Sequence, residues 1–132
     1  MSKITRFDAK KQHIHTWMRV KSSSGKEISF SAILDTGAPF TEISDRSLAR
    51  AGFHTAKSKV QTKDLQETQK YGKIRLPLVT VLGEQLADWV VYVSRFDEKW
   101  NIDALIGLDF FRRFRVTIDY AEEILITDRY NE

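Results

Sequence analysis

Asp35, Thr36 and Gly37 place an acid, a hydroxyl and a glycine directly after a run of apolar residues. An aspartate in that position needs polar partners, because Asp has a low strand propensity and its buried charge is costly. Thr36 supplies a hydroxyl for hydrogen bonding, and Gly37 permits a close backbone approach while presenting an amide N–H. The same tripeptide is also a good turn sequence. The three residues therefore indicate either a carboxylate placed for general acid–base chemistry or an ordinary turn.

Other reactive side chains give weaker signals. His13 and His15 are two apart on a predicted strand and share its outer face, but no compelling third ligand accompanies them, so we predict no metal site. The chain has no cysteine, which excludes thiol catalysis and Cys-ligated metals. Trp17, Trp89 and Trp100 could stack on bases or grip a peptide, although packing in the core or a cleft wall is expected for most of them. We predict no cofactor.

Alternating apolar and polar residues, broken by turn sequences, predict the elements that position Asp35. Seven or eight strands with two short helices, and no regular helix alternation, predict an all-β barrel. Ser44 or Asp45 is expected to cap the first helix and Gly52 to end it, while Pro77 indicates an edge or irregular strand. The predicted strands are 13–21, 27–34, 40–43, 74–80, 86–94, 102–106, 116–120 and 124–127, and the second helix is 108–114.

Length and charge limit the possible classes of protein. The 132 residues, 42% hydrophobic and 30% charged, predict one globular domain, and no apolar run approaches the roughly 18 residues of a membrane helix. The net charge is +3, and residues 1–31 hold seven Lys/Arg against two acids. These cations are scattered, so residues 1–12 are interpreted as a solvated basic N-terminal arm and 13–132 as the domain. We expect a cytoplasmic protein with neither a membrane nor a nucleic-acid partner. Nucleic-acid binding that weakens steeply with salt would instead indicate a nucleic-acid-binding barrel.

The sequence resembles the retropepsin-like aspartic proteases (clan AA), in particular their bacterial-type, single-lobe members. Residues 32–43, which carry Asp-Thr-Gly-Ala, are similar to the catalytic-loop pattern of the family. Residues 104–111 resemble the apolar-apolar-Gly element that crosses behind this loop and leads into a short helix. Residues 114–120 resemble the strand that follows, and the resemblance spans about 13–128. It implies a single-lobe acid-protease β-barrel with one or two short helices, assembled as a two-fold symmetric dimer.

The resemblance implies an aspartic endopeptidase in which two Asp35 carboxylates, one from each chain of a homodimer, activate a water. Two carboxylates about 3 Å apart repel by roughly 5 kcal/mol at an effective dielectric near 20, so they share one proton, as is established for aspartic proteases. The chain contains Asp-Thr-Gly once and Asp-Ser-Gly never, so the second loop must come from another chain. By the same resemblance Thr36 hydrogen-bonds across the axis, Gly37 positions the carboxylate and the substrate backbone, and Asp109 has a structural role at the second helix.

The resemblance also implies contacts with a peptide or protein substrate at Ala38, Tyr71, Gly72 and Ile106. Tyr71 is expected near the tip of a flap hairpin within 60–74, a region more polar than the Gly-rich flap of retroviral members. Ala38 stands where pepsin-like members often have a serine. Without that hydroxyl we predict a pH optimum of about 5–6, less acidic than in pepsins.

The alternative is a catalytically silent barrel that acts as a protein-interaction or assembly module. Intact Asp35, Thr36 and Gly37 favour activity, because a scaffold has no physical need for a costly aspartate at a dimer axis.

Overall fold

A closed six-stranded barrel forms the centre of the computed structural model, which describes residues 1–55, 57–61 and 67–130. For residues 57–61 and 67–71 the description covers the backbone. The elements in chain order are β1 (Lys3–Arg6), β2 (His15–Lys21), β3 (Glu27–Leu34), β4 (Glu42–Ser44), α1 (Asp45–Arg50), β5 (Lys57–Gln61), β6 (Glu67–Tyr71), β7 (Lys73–Val81), β8 (Glu84–Ser94), a 3-10 turn (Glu98–Trp100), β9 (Ala104–Ile106), α2 (Leu108–Phe111), β10 (Phe114–Asp119) and β11 (Ile124–Arg129). Around the barrel the strands follow the order β2-β3-β9-β4-β8-β7. The all-β fold expected from the sequence is confirmed.

Side-chain alternation places the core inside the barrel. In β2, Thr16, Met18 and Val20 are buried while their neighbours face outward, and Phe30 and Ala32 of β3 face the same interior. This is the period-2 pattern from which both strands were predicted. Burial of these apolar side chains is the main favourable contribution to folding. Other fully buried core residues are Ile43, Leu48, Leu76, Leu86, Ile106, Phe110 and Leu125.

The short strand β9 lies between β3 and β4. It pairs in parallel with β3, where Leu34 lies opposite Ile106, and antiparallel with β4, where Ile43 lies opposite Ala104. The segment between β3 and β4 must therefore loop over the end of β9. This is the crossing that residues 104–111 were expected to make behind the Asp35 loop.

The helices begin where the sequence predicted. The Ser44 side chain accepts a hydrogen bond from Ser47 N at the start of α1, and Gly52 follows its end with a φ of +83°. The second helix is shorter than the expected 108–114, because Phe114 already pairs with β11 as the first residue of β10. In the parts of the chain that the structure describes, no helix is long and apolar enough to cross a membrane.

The irregular strand predicted at Pro77 is β7. Its pairing with β8 steps from Leu76 opposite Trp89 to Leu78 opposite Ala87. Asp88, between the two partners on β8, has a φ of +52°. Pro77 thus sits at a local break in the ladder, where its missing N–H removes no regular bond.

The N-terminal residues contribute a strand to the fold. Residues 1–12 were expected to form a solvated arm, whereas β1 pairs with β11 in a three-stranded sheet of order β1-β11-β10. Phe7 follows β1 and is buried in the core beside Tyr120. The prediction of a free arm is therefore wrong for residues 3–7.

A buried carboxylate joins this terminal sheet to the barrel. Glu84, at the start of β8, has no exposed surface and forms ion pairs with Lys3 Nζ at 2.8 Å and Arg129 Nε at 2.9 Å. Burial alone raises the pKa of Glu84, but hydrogen bonds and charges from Lys3 and Arg129 outweigh it, so the pKa lies below its ordinary value. Glu84 therefore stays ionised and holds β1 and β11 against the barrel.

Strands β5 and β6 form the antiparallel hairpin expected within residues 60–74. Lys57 lies opposite Tyr71 and Gln61 opposite Glu67. Tyr71 is therefore at the base of the hairpin rather than near its tip, which corrects the sequence prediction. The connection between the strands, residues 62–66, lies outside the described residues.

Candidate active site

Asp35 lies one residue beyond β3, at the start of a tight turn. Its N–H donates to the Ile106 carbonyl at 2.8 Å, which extends the pairing of β3 with β9 by one residue. Ala38 N donates to the Asp35 carbonyl at 3.1 Å and closes the turn. Gly37 N donates to Asp35 Oδ1 at 2.9 Å, so the turn itself orients the carboxylate.

The turn presents its polar groups outward. Asp35 is half-buried, Thr36 and Gly37 are exposed, and Ala38 is buried. A Cβ on Gly37 would lie 3.1 Å from Asp35 Oδ1, tighter than ordinary side-chain contacts, so a larger residue there would require the carboxylate to shift. The loop therefore offers a carboxylate and a hydroxyl to an approaching molecule from a fixed backbone.

A hydrogen-bond network anchors the far side of the loop. Thr41 is fully buried; its Oγ1 donates to Asp109 Oδ1 at 2.7 Å and accepts from Gly107 N at 3.1 Å. Thr41 N also donates to Asp109 Oδ1, at 2.9 Å, and Phe110 N caps the same oxygen at 3.0 Å. The structural role expected of Asp109 is present, and it reaches beyond the helix start to the loop that carries Asp35. Sequence reasoning missed Thr41 as its partner, because 68 residues separate the two.

Gly107 allows the loop to pass directly over the end of β9. A Cβ at this position would lie 2.6 Å from the backbone C and O of Phe40 and 2.7 Å from the Ala38 carbonyl. Leu108 N donates to that Ala38 carbonyl at 2.8 Å. Glycine is therefore required at residue 107 by close backbone approach, and its φ of −99° is unstrained.

The residues predicted to contact a substrate divide into two groups. Ile106 has no exposed surface and its side chain packs in the core, so the predicted contact between this side chain and a substrate is wrong. Ile106 instead positions Asp35, whose N–H donates to the Ile106 carbonyl. Ala38 is also largely covered, at 9% exposure. Gly72 is exposed at the base of the hairpin, where its carbonyl accepts from Val93 N at 3.1 Å. Substrate contact at Ala38, Tyr71 and Gly72 stays a prediction.

Two other acids at the barrel surface, Asp103 and Asp45, are engaged in structural pairs. Asp103 accepts hydrogen bonds from Ser31 N at 2.8 Å and from Arg50 at 2.7 Å, and Asp45 pairs with Arg95 at 3.0 Å. Asp35, by contrast, makes no ion pair within the described ranges. Its carboxylate is therefore not neutralised by a neighbouring cation and is available for chemistry.

The histidine-bearing end of β2 runs beside the strand that leads into this loop: His15 lies opposite Ile33, and the Ile14 carbonyl accepts from Leu34 N at 3.0 Å. His15 is in β2, and burial, followed by the charges of Lys11 and His13, lowers its pKa. Across the residues with described placement, no cluster of three metal-ligating side chains occurs. Trp89 is buried against Phe110, as expected for a core residue, whereas Trp17 and Trp100 are exposed.

Comparison with known proteins agrees with this geometry. Residues 22–113 match the family model described as "gag-polyprotein putative aspartyl protease". The chain belongs to this family and is a retropepsin-like aspartic protease in sequence and fold. No curated protein sequence matches the chain.

Solved structures with the same fold come from a bacterium, a protozoan and a retrovirus. A retropepsin-like aspartic protease from Rickettsia conorii has 18% identity and a TM-score of 0.67, covering 96% of this chain and 89% of the other. The retroviral protease-like domain of Ddi1 from Leishmania major has 19% identity and a TM-score of 0.64, covering 93% and 92%. EIAV protease, complexed with the inhibitor HBY-793, has 11% identity and a TM-score of 0.52, covering 78% and 88%. At these identities the similarity establishes the fold.

Proposed function

We propose that this protein is an aspartic endopeptidase whose active site is completed by a second copy of the chain. One observation supports this above the others. The Asp35 carboxylate is oriented by Gly37 N, half-buried and free of ion pairs among the described residues, at the end of a strand backed by β9. A single carboxylate of this kind is half of the pair that aspartic-protease chemistry uses.

The proposed dimer brings two Asp35 carboxylates to one water, with one proton shared between them. The ionised carboxylate takes a proton from the water as its oxygen attacks the peptide carbonyl carbon, and the other carboxyl gives its proton to the carbonyl oxygen. Collapse of the tetrahedral intermediate breaks the C–N bond: the carboxyl that took the proton from water gives it to the leaving nitrogen, and the other carboxylate regains its proton from a hydroxyl of the intermediate as the new carboxyl group forms. The exposed Thr36 hydroxyl, next to the carboxylate on the same turn, is suited to tie the two loops together across the axis.

The anchor formed by Thr41 and Asp109 supports this proposal because catalysis requires a fixed carboxylate geometry. The hydrogen bonds around Thr41 hold the loop from its far side, and the Ile106 carbonyl holds it at Asp35. Neither contact depends on a partner chain. Each protomer thus arrives at the dimer with its half-site already ordered.

The test is cleavage of a peptide library at several pH values by the wild type and by Asp35→Asn, each verified as a dimer. Asp35→Asn should lose cleavage entirely while keeping the fold. Asp88→Asn is the matched control, since residue 88 has a φ of +52°, which Asn tolerates as well as Asp, and it lies away from the turn. Cleavage by Asp35→Asn would refute the assignment, and a dimeric wild type that cleaves nothing would favour the assembly module instead.

A further inference from the structure

A groove of about 810 Å³ lies on the outer face of β2 and β3. Outward-facing residues of the two strands form its floor, and the segment after β1 forms one wall. Asp35 is not among the residues that line it. Its lining includes Arg6, Lys11, His15, Trp17, Ser31 and Asp103.

One residue of the groove floor, Ser31, lies on the same strand as the Asp35 turn. Ser29, Ser31 and Ile33 occupy alternate positions of β3, and Asp35 continues the same alternation one step beyond the strand. Ser31 is four residues from Asp35, which corresponds to roughly 13 Å along an extended strand. A substrate chain in extended form covers that distance in about four residues.

The groove carries an excess of positive charge. Its lining holds the cations Arg6, Lys11, Arg19 and Arg50 and the acids Asp8 and Asp103; Arg19 pairs with Glu27 and Arg50 with Asp103. The Asp103 carboxylate is already occupied by Ser31, Ser47 and Arg50. Arg6 and Lys11 form no ion pair with any residue that the structure describes.

Trp17 gives the groove a flat apolar surface. Its side chain is 66% exposed and lies between His15 and Arg19 on the outer face of β2. The residue opposite on β3 is Ser31, which is too small to cover an indole. Covering the exposed indole with a ligand would be favourable, because it removes apolar surface from water.

We propose that this groove binds an acidic segment of the peptide substrate, about four to seven residues from the scissile bond. Lys11 and Arg6 attract the carboxylates, and Trp17 packs against the backbone and the side-chain stems. The proposal rests on the proposed endopeptidase function and adds the substrate class to it. Acidic peptide, rather than another polyanion, is the occupant because Ser31 of the groove floor and Asp35 share one face of the same extended segment, four residues apart.

The test begins with a proteome-derived peptide library, which identifies a cleavable core sequence. That core is then extended with four Glu, four Gln or four Lys residues at the fourth to seventh positions from the scissile bond, on each side in turn. The kcat/KM should fall in the order Glu, Gln, Lys for extensions on one side. Each exposed ion pair is worth at most about fivefold, so a Glu-to-Gln ratio on the order of tenfold is expected, mainly in KM. The ratio should shrink when NaCl rises from about 50 to about 500 mM.

Variants locate the effect. Lys11→Ala and Arg6→Ala should each lower the Glu-to-Gln ratio severalfold, whereas Arg113→Ala removes an exposed charge outside the groove and should leave it unchanged.

Equal cleavage of the Glu and Lys peptides, or an equal effect of Arg113→Ala, would overturn the proposal while the endopeptidase assignment stands. If a thymidine oligonucleotide binds in a way that depends on Trp17, and cleavage shows no preference for peptide charge, the ligand of the groove is nucleic acid and the proposal is wrong. If a verified dimer cleaves no peptide at all, the proposed function itself fails.

Discussion

Replacing Glu84 by Gln should destabilise the protein strongly and in a pH-dependent way. The Glu84 side chain is 1% exposed and pairs with Lys3 at 2.8 Å and Arg129 at 2.9 Å. Gln keeps the shape but removes the charge, leaving two cations without their counter-ion. Removing one partner of a buried pair costs about 3–5 kcal/mol. Lys3 and Arg129 are 38% and 51% exposed and can recover hydration, so we expect the lower end, about 3 kcal/mol.

The sign of the pH dependence follows from the lowered pKa of Glu84. A carboxyl whose pKa is depressed by folding stabilises the native state fully above its unfolded pKa of about 4.3. That contribution is lost as the pH falls through the lower, folded pKa. The difference in stability between the wild type and Glu84→Gln should therefore be largest near neutral pH and shrink in acid below about pH 4.

The assay is thermal and urea unfolding between neutral pH and about pH 3, at fixed protomer concentration because the proposed dimer would make the midpoint concentration-dependent. About 3 kcal/mol corresponds to a melting temperature roughly 10 °C lower for a domain of this size. Glu27→Gln is the matched control: its pair with Arg19 spans 3.5 Å between side chains 60% and 52% exposed and is worth less than about 1 kcal/mol. Equal effects of the two substitutions, or a loss for Glu84→Gln that persists unchanged at acid pH, would refute the reasoning.

Three further predictions concern the loop and its chemistry. Thr41→Val should cost about 2–3 kcal/mol, because it leaves the buried Gly107 N without its acceptor and removes one of the three hydrogen bonds to Asp109 Oδ1, and Thr41→Ser should restore most of the loss in urea unfolding. Gly107→Ala should prevent native folding, seen as loss of the native circular dichroism spectrum, since its Cβ would clash with the Phe40 backbone; a well-folded variant would contradict this. With no hydroxyl at Ala38, peptide cleavage should peak at about pH 5–6, and a maximum below about pH 4 would count against that argument.

The strands that carry the site could be predicted because their residues alternate cleanly. In β2 and β3 the buried residues are apolar and their neighbours polar, so the pattern and the burial coincide. Strand β1 escaped prediction because its pattern is inverted. Ile4 faces outward at 66% exposure, while Lys3 points towards the buried Glu84. A sequence pattern cannot reveal such a strand unless the internal acid that pairs with its lysine is known.

The site likewise contains residues that could be predicted from the sequence and contacts that could not. Asp35, Thr36 and Gly37 could be found because their chemistry is concentrated in three consecutive residues. The hydrogen bond between Thr41 and Asp109 joins residues far apart in the chain, and only the passage of β9 behind the loop brings them together. The burial of Ile106 could not be read from its place in an apolar triplet, because a short strand can expose either face.

The central claim, one active site built from two chains, is tested most directly by mixing active and inactive protomers. Wild-type chains and Asp35→Asn chains are unfolded, combined in equal amounts and refolded together, and peptide cleavage is compared with that of wild type at the same total concentration. If each site requires Asp35 from both chains, only wild-type pairs are active, and random pairing leaves about one quarter of the activity. About one half of the activity would show that each chain acts alone and would contradict the account.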